Sequence, residues 1–305
     1  MDEPPLWPSV AVVILTYNGC QTTLNCLASA VELDYPQATI VVVDNGSTDG
    51  TAERVRERFP QVIVVRIEHN VGVTEGYNAG LHWLLEHDYE YALLLNNDVL
   101  LAPDLLRVLV REAERHPEAG LLSPKIYLGA PPSTRLYWSG GWLTLSPVGA
   151  PTRGYRRRDG GKYDEMCGAQ LAASTAVLVR CRMIRDVGLL DPAFYYLCDD
   201  FDWSLRAARQ GYRVLYVPAG EVWHLESSTI GYLSPRMVYY YVRNMRLLIE
   251  RYFPRWRAMR VTLAVQVPLF IAMLVVTGRV RGIRAPIWGV LDHRRGLYGK
   301  CPRPL

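Results

Sequence analysis

The 305-residue chain carries no lysine or arginine before Arg54. Its first apolar run is not followed by GxGxxG, and GxxxxGK[ST] occurs nowhere, so the dinucleotide-fingerprint and P-loop readings lose their main support. None of the six cysteines forms a CxxC pair or joins a His cluster with zinc spacing, which removes a zinc site and leaves reduced thiols of a cytosolic protein as the expectation. There is no low-complexity tract and no repeat period. The opening MDEPPLWPSV is acidic and proline-rich and lacks the basic and apolar regions of a signal peptide, so secretion is not expected.

What is present is a series of unbroken apolar runs: VAVVILT (10–16), TIVVVD (39–44), VIVVRI (62–67) and YALLLNN (91–97). Runs of this kind suit strands covered on both faces of a parallel sheet. Helical patterns separate them, near 21–33, 51–59 and 74–87, which predicts a doubly wound α/β sheet. Polar residues close every run: TYNG, DNGSTDG, HNVG and NND. Ligands of open α/β sheets bind beside such strand ends, so four polar loops on one edge predict one site. Further on, 103–116 reads as a helix and 129–165 as short strands and loops. Residues 170–181 read as a buried strand or tight helix, and 199–214 as a helix closed by Gly211.

Two positions draw attention by chemistry alone. Asp44 ends the second run, where a carboxylate can accept from a base N–H or a ribose hydroxyl. A site for a charged phosphate usually recruits Lys or Arg, and the first two loops offer none. A divalent cation, Mg2+ or Mn2+, is the economical substitute, and Asp98 after two asparagines is its candidate anchor. Gly72, Gly76 and Gly80 allow close backbone approach to a phosphate, or equally serve helix–sheet packing.

The motifs VVILTYNG, VVVDNGSTDGT, NVGVTEGYNAGL, LLLNNDV and FYYLCDDFDWSLRAARQGYRVLYVPAGEVWH occur in this order, and together with YYYVRNMRLLIERYF the chain resembles the inverting family 2 glycosyltransferases of GT-A fold. The likeness, over about residues 9–250, is to the rhamnosyltransferase-like and galactofuranosyltransferase-like branch. It implies a nucleoside pocket lined by Thr16, Tyr17 and Asn18, with Asp44 on the base and Asn45 and Ser47 beside it. Asn70, Gly76 and Asn78 would flank the nucleotide and ribose. Asn96, Asn97 and Asp98 stand where the family has its DxD motif. Asn96 replaces the first acidic position, leaving Asp98 as the metal ligand, and His224 matches a position used as a further ligand. Asp200 matches the catalytic base and Asp199 its acidic partner. The implied activity is inverting transfer of a rhamnose-like or other hexose from a UDP- or dTDP-sugar to a hydroxyl of a glycan or lipid-linked glycan.

The implied layout is a tail over 1–8, a GT-A domain over 9–234 (nucleotide half 9–100, acceptor half 101–234) and a helical extension over 235–305. From Arg243 onward the chain has thirteen Lys/Arg and two Asp/Glu, about +11 against about −7 for the rest. Val238, Tyr241, Val242, Met245, Leu248, Ile249 and Tyr252 form a helical apolar stripe. The apolar stretch 261–277 with flanking arginines predicts a peripheral helix on an anionic membrane surface at the cytoplasmic face; a membrane span, a buried helix and a contact between copies of the chain are its alternatives. No nucleic-acid module is visible. Trp203 and Trp223 could stack on sugars or pack in the core, and 154–162 could be a basic lid or a solvated charge run. A sugar nucleotidyltransferase and a non-catalytic scaffold of the same fold are the competing functions.

Overall fold

A computed structural model describes residues 7–145, 148–149, 151–225 and 233–303; most of the expected amino-terminal tail lies outside them. The strands are β1 (Val10–Thr16), β2 (Ala38–Asn45), β3 (Ile63–Ile67), β4 (Tyr91–Asn96), β5 (Val99–Leu101), β6 (Ala119–Leu128), β7 (Leu136–Trp138), β8 (Thr144–Leu145), β9 (Val148–Gly149), β10 (Cys167–Ala169), β11 (Ala176–Arg180) and β12 (Arg213–His224). The helices are α1 (Cys20–Ala30), α2 (Thr51–Arg58), α3 (Val73–Glu86), α4 (Leu105–Arg115), α5 (Cys181–Val187), α6 (Asp199–Arg209), α7 (Pro235–Tyr252), α8 (Arg255–Val261), α9 (Val267–Val276) and α10 (Arg284–Arg294).

β3, β2, β1 and β4 lie side by side in parallel, the arrangement that the four apolar runs predict. β11 joins β4 to β6 antiparallel, and β12 runs parallel to β6, so one mixed sheet spans the molecule. The 170–181 stretch thus resolves into a strand, as its β-branched centre favours. Two apolar layers cover the sheet. Ile14, Val42 and Leu93 face one, with α1 and α4; Val13, Val43 and Leu94 face the other, with α3 and α5. Adjacent residues of a strand point to opposite faces, which is why these runs are apolar throughout.

α7 begins with Ser234 Oγ accepting from the Met237 N–H and with Pro235 in the first turn, a strong start signal. Its apolar stripe faces inward as the periodicity predicts, and its burial extends beyond that stripe. Tyr239, Tyr240, Arg243 and Asn244 on its other faces are also buried, between the 193–198 loop, α10 and residues 299–301. A π-turn over 262–266 separates α8 from α9. Among the described residues no helix is long and apolar enough to cross a membrane.

Candidate active site

The chain leaves β1 towards β2 and β3, then returns to place β4 on the other side of β1, so a crevice opens between the carboxyl ends of β1 and β4. Around it the polar loops are fastened to one another. Asn18 donates its backbone N–H to Ser47 Oγ at 3.0 Å, and its side-chain oxygen accepts from Thr48 N at 2.8 Å. Asp44 is fully buried; its Oδ1 accepts from Ser47 N at 2.9 Å. Its Oδ2 has no hydrogen-bond partner among the described residues, and Arg66 Nε stands 3.9 Å away. A buried carboxylate oxygen without a donor is costly, so this atom is suited to a donor brought by a ligand. Tyr17 is half-buried beside this loop.

Several residues that the resemblance places at the nucleotide also hold the scaffold. Asn45 donates to Gly72 O at 2.9 Å and accepts from Val71 N at 3.0 Å, and Asn70 Oδ1 accepts from Gly72 N at 2.9 Å; both amides shape the turn before α3. Asn78 grips the backbone of Leu190 at both ends, at 2.9 and 3.1 Å. A Cβ at Gly76 would lie 2.6 Å from Leu15 Cδ1, so that glycine lets α3 pack on the sheet.

The two amides before Asp98 have the same kind of task. Asn97 donates to Thr16 Oγ1 and Thr23 Oγ1, both at 3.1 Å, and Thr16 and Thr23 hydroxyls share a 2.7 Å bond. Gly19 permits this, because a Cβ there would come within 2.5 Å of Asn97 Nδ2. Asn96 Oδ1 accepts from Tyr77 Oη at 3.0 Å, and its N–H bonds Thr175 O at 3.1 Å. Asp98 is therefore held at the crevice by a neighbour on each side of the sheet. Asn96, in the first acidic position of the motif, is bound to protein.

His224 reaches Asp98 through strand register. β5 pairs antiparallel with the end of β12, His224 opposite Val99, and Leu225 N bonds Asp98 O at 2.9 Å. His224 Nε2 lies 3.2 Å from Asp98 Oδ1, while its Nδ1 is buried without a hydrogen-bond partner among the described residues. Neighbouring ligands of an octahedral cation bonded at about 2.1 Å stand about 3 Å apart, so one nitrogen and one hard oxygen are spaced to share an ion. Among the described residues no group of three or more His, Cys, Asp and Glu could hold a metal, so this pair would need ligand oxygens to complete the shell.

Asp199 and Asp200 open α6, where the helix dipole favours negative charge. They differ in access. Asp199 is 2% exposed, with Oδ2 lacking a hydrogen-bond partner among the described residues. Burial, then the charge of Asp200, pushes its carboxyl up to about 7. Asp200 is half-buried, and burial raises it too; Ser174 N and Oγ at 3.0 and 3.1 Å and Phe201 N at 2.9 Å hold its oxygens. Ser174 O in turn lies 3.3 Å from Tyr77 Oη, which donates to Asn96, so one short chain of contacts joins the two acidic clusters.

Tyr77, Ser174 and Tyr137 escape the sequence reading. The Tyr137 ring packs 4.6 Å from the His224 ring, centre to centre. Burial pushes its phenol up to about 12, and the charges of Asp200 and then Asp98 both act on it. Its only sequence signal is the Tyr- and Gly-rich composition of 129–165.

Asp202, also on α6, pairs with Arg206 at 2.8 Å, one turn on, and with Arg251 at 2.9 Å. Other expectations resolve plainly. Trp203 is a core residue donating to Gly188 O, and Trp223 stacks on Tyr127. The 154–162 loop is anchored: buried Lys125 pairs with Asp159 at 2.6 Å and with Asp164.

The Asp199 carboxyl gives a direct pH prediction. Its folded-state value lies above the ordinary unfolded value of about 3.9, so the native state holds a proton that the unfolded state has released. That contribution is complete below the unfolded value and fades as pH rises through about 7. Asp199→Asn should therefore gain melting temperature over the natural protein as pH goes from 5 to 8, by about 2 °C or more in differential scanning fluorimetry. A difference that is flat across that range would contradict the buried, protonated carboxyl.

The glycosyl transferase family 2 model matches residues 11–177, more than half of the chain. An N-acetylglucosaminyl-diphospho-decaprenol L-rhamnosyltransferase of Mycobacterium tuberculosis is 25% identical over 270 residues, which cover 81% of this chain and 86% of that protein. A poly-β-1,6-N-acetyl-D-glucosamine synthase of Staphylococcus epidermidis is 22% identical over 262 residues, covering 83% of this chain and 59% of that protein. In fold the chain is similar to the mannosyltransferase PcManGT of Pyrobaculum calidifontis, solved with GDP-Man and Mn2+, at a TM-score of 0.60 and 19% identity over 96% of this chain and 88% of that one. It is also similar to GalNAc-T7, solved with UDP, GalNAc and Mn2+, at a TM-score of 0.62 and 17% identity over 81% of this chain and 48% of that one. A parallel-centred sheet of GT-A type, a crevice at its switch point and this family match agree: the chain belongs to glycosyl transferase family 2, in its rhamnosyltransferase-like branch, and is a glycosyltransferase.

Proposed function

We propose that the enzyme moves a rhamnose-like or other hexose from a UDP- or dTDP-sugar to a hydroxyl of a lipid-linked glycan, with inversion at the anomeric carbon. The observation that carries this reading is the short path from Asp98 and His224 to Asp200 through Asn96, Tyr77 and Ser174. It supports a donor lying across the crevice, diphosphate towards Asp98 and anomeric carbon towards Asp200. Asp44 Oδ2 would accept from the N3–H of uracil or thymine, with Tyr17, Asn18 and Ser47 around the base. Guanine offers its N–H groups in a different pattern, which favours the pyrimidine donors.

The acceptor hydroxyl loses its proton to the Asp200 carboxylate as its oxygen attacks the anomeric carbon; the bond to the diphosphate oxygen breaks on the opposite face. Ser174 fixes the carboxylate during this transfer. A Mg2+ or Mn2+ held by Asp98 and His224 would stabilise charge on the leaving diphosphate. In a thermal-shift panel, UDP- or dTDP-sugars with Mn2+ should raise the melting temperature and GDP-sugars should not; a shift confined to GDP-sugars would overturn the base assignment.

A lipid-linked acceptor calls for a chain that can work at a bilayer. Trp256, Met259, Leu263, Leu269, Val276 and Val280 are exposed on α8, α9 and the adjoining turns, Val276 at 85%. The surrounding segment carries the basic surplus, which favours peripheral binding to anionic lipid at the cytoplasmic face. The chain should co-sediment with phosphatidylglycerol-containing vesicles, and Leu269→Asp with Val276→Asp should lower the bound fraction at least about tenfold, since each buried apolar side chain is worth about 1.5–3 kcal/mol. Equal binding of that double variant would dismiss this face.

A further inference from the structure

The loop that delivers Asp199 and Asp200 is held in an unfavourable backbone conformation. Tyr195, Leu197 and Cys198 have φ of 62°, 68° and 66°, and none is glycine. Such a conformation crowds Cβ against the backbone and persists only where the surroundings impose it. Two neighbouring side chains of α7 supply much of that constraint. Asn244, wholly buried, directs its amide nitrogen at three carbonyls of this loop, Phe194, Tyr196 and Leu197, each at 2.8 Å. Its Oδ1 accepts from Arg243 Nε at 2.9 Å. Arg243, also wholly buried, donates to Ala193 O at 3.1 Å, Phe194 O at 3.0 Å and Gly299 O at 2.7 Å.

The same loop grips the other side of the crevice. The carbonyl of Tyr195 accepts from Val73 N at 2.8 Å and Thr74 N at 3.3 Å, the first donors of α3. Its ring lies where a Cβ of Gly72 would sit, 2.5 Å away, so glycine there lets the loop close on α3. Turning three carbonyls inward to one amide and a fourth outward to α3 leaves the chain entering α6 with Asp200 beside Ser174.

We propose that Asn244, braced by Arg243, is a positioning residue for catalysis: it sets the 194–198 loop, and through it the placement of Asp199 and Asp200 against the donor loop before α3. The inference rests on the proposed role of Asp200 as base. Asn244→Asp keeps the shape and replaces the amide donors with an acceptor facing three acceptors. Arg243→Lys keeps the charge and loses the forked bonds. With the whole 305-residue chain and a UDP- or dTDP-sugar as donor, each variant should lower kcat at least about tenfold, because small misplacements of a reacting group carry costs of that order. Donor KM should stay within about threefold, since Asp44, Asn18 and Ser47 lie outside this loop. Amide hydrogen exchange of 72–75 and 194–200 should quicken, while that of β1 and β2 stays as in the natural protein. Adding Leu197→Gly to Asn244→Ala should recover part of the lost kcat, because glycine adopts positive φ freely.

Unchanged kcat and unchanged exchange in both variants would overturn the proposal. So would a uniform rise in exchange across the sheet with no recovery from the glycine, which is the mark of a purely structural residue. The exchange readout needs no turnover, so it separates failure of this proposal from failure of the transferase assignment, in which the natural protein itself would turn over no nucleotide sugar.

Discussion

Replacing Asp200 by Asn is expected to lower kcat by about 10²–10⁴-fold, the usual contribution of a positioned general base, while donor binding stays as it was. The substitution preserves an acceptor for the Ser174 N–H and hydroxyl and gives up the oxygen that faces the Phe201 N–H, so the carboxamide keeps its Ser174 anchors while the base is lost. The natural protein should also show an acid limb in its pH–rate profile. Burial raises Asp200, so the carboxylate that must accept the proton disappears at a higher pH than an ordinary aspartate would. Activity should fall as pH drops through that limb and recover as it rises. Initial-rate measurements in both proteins decide it: turnover of Asp200→Asn within threefold of the natural enzyme would remove Asp200 from the chemistry.

Loss of Asp98 should be nearly as severe and should look different. Asp98→Ala removes the hard oxygen and leaves His224, which binds Mn2+ or Mg2+ poorly by itself. Stabilisation of charge by a divalent ion is worth several kcal/mol, so kcat/KM should fall by about a hundredfold or more. The loss should extend to donor affinity, because the diphosphate would share the ion. EDTA should reproduce the defect in the natural protein, Mn2+ should reverse it there, and neither should change the variant. Full activity in EDTA would mean that the Asp98–His224 pair serves the fold instead.

The sheet was the most legible part of the molecule because both of its faces are covered, and a strand buried on two sides must be apolar at every position. Asp98 stood out for a related reason: a carboxylate next to a buried run is costly without a task. Asp200 stood out only through the resemblance, because a helix start favours a carboxylate by itself. The asparagines were harder. Asn45, Asn78 and Asn97 look like ligand contacts in one dimension, but each proves to bridge backbone or hydroxyls from elements up to 112 residues away. His224 reaches Asp98 only through the β5–β12 register, and Tyr137 reaches both acidic clusters only through β7, so neither position follows from local pattern.

Helix α7 shows the limit most clearly. Periodicity found the inward stripe of α7 but gave no role to Arg243 and Asn244 beside it. Both are buried, because the strained loop before α6 presents a cluster of carbonyls that only polar side chains can satisfy. A stripe argument counts apolar residues and has no means of anticipating carbonyls supplied by a distant turn.

The most direct test of the central claim is calorimetric titration of a UDP- or dTDP-sugar, with and without Mn2+, into the natural protein, Asp200→Asn and Asp98→Ala. If the two carboxylates face opposite ends of one bound donor, Asp200→Asn binds with natural affinity and natural Mn2+ dependence, Asp98→Ala loses the Mn2+ dependence, and both transfer sugar about a hundredfold or more slowly. Donor affinity lost equally in both variants, or unaffected by Mn2+ in the natural protein, would contradict it.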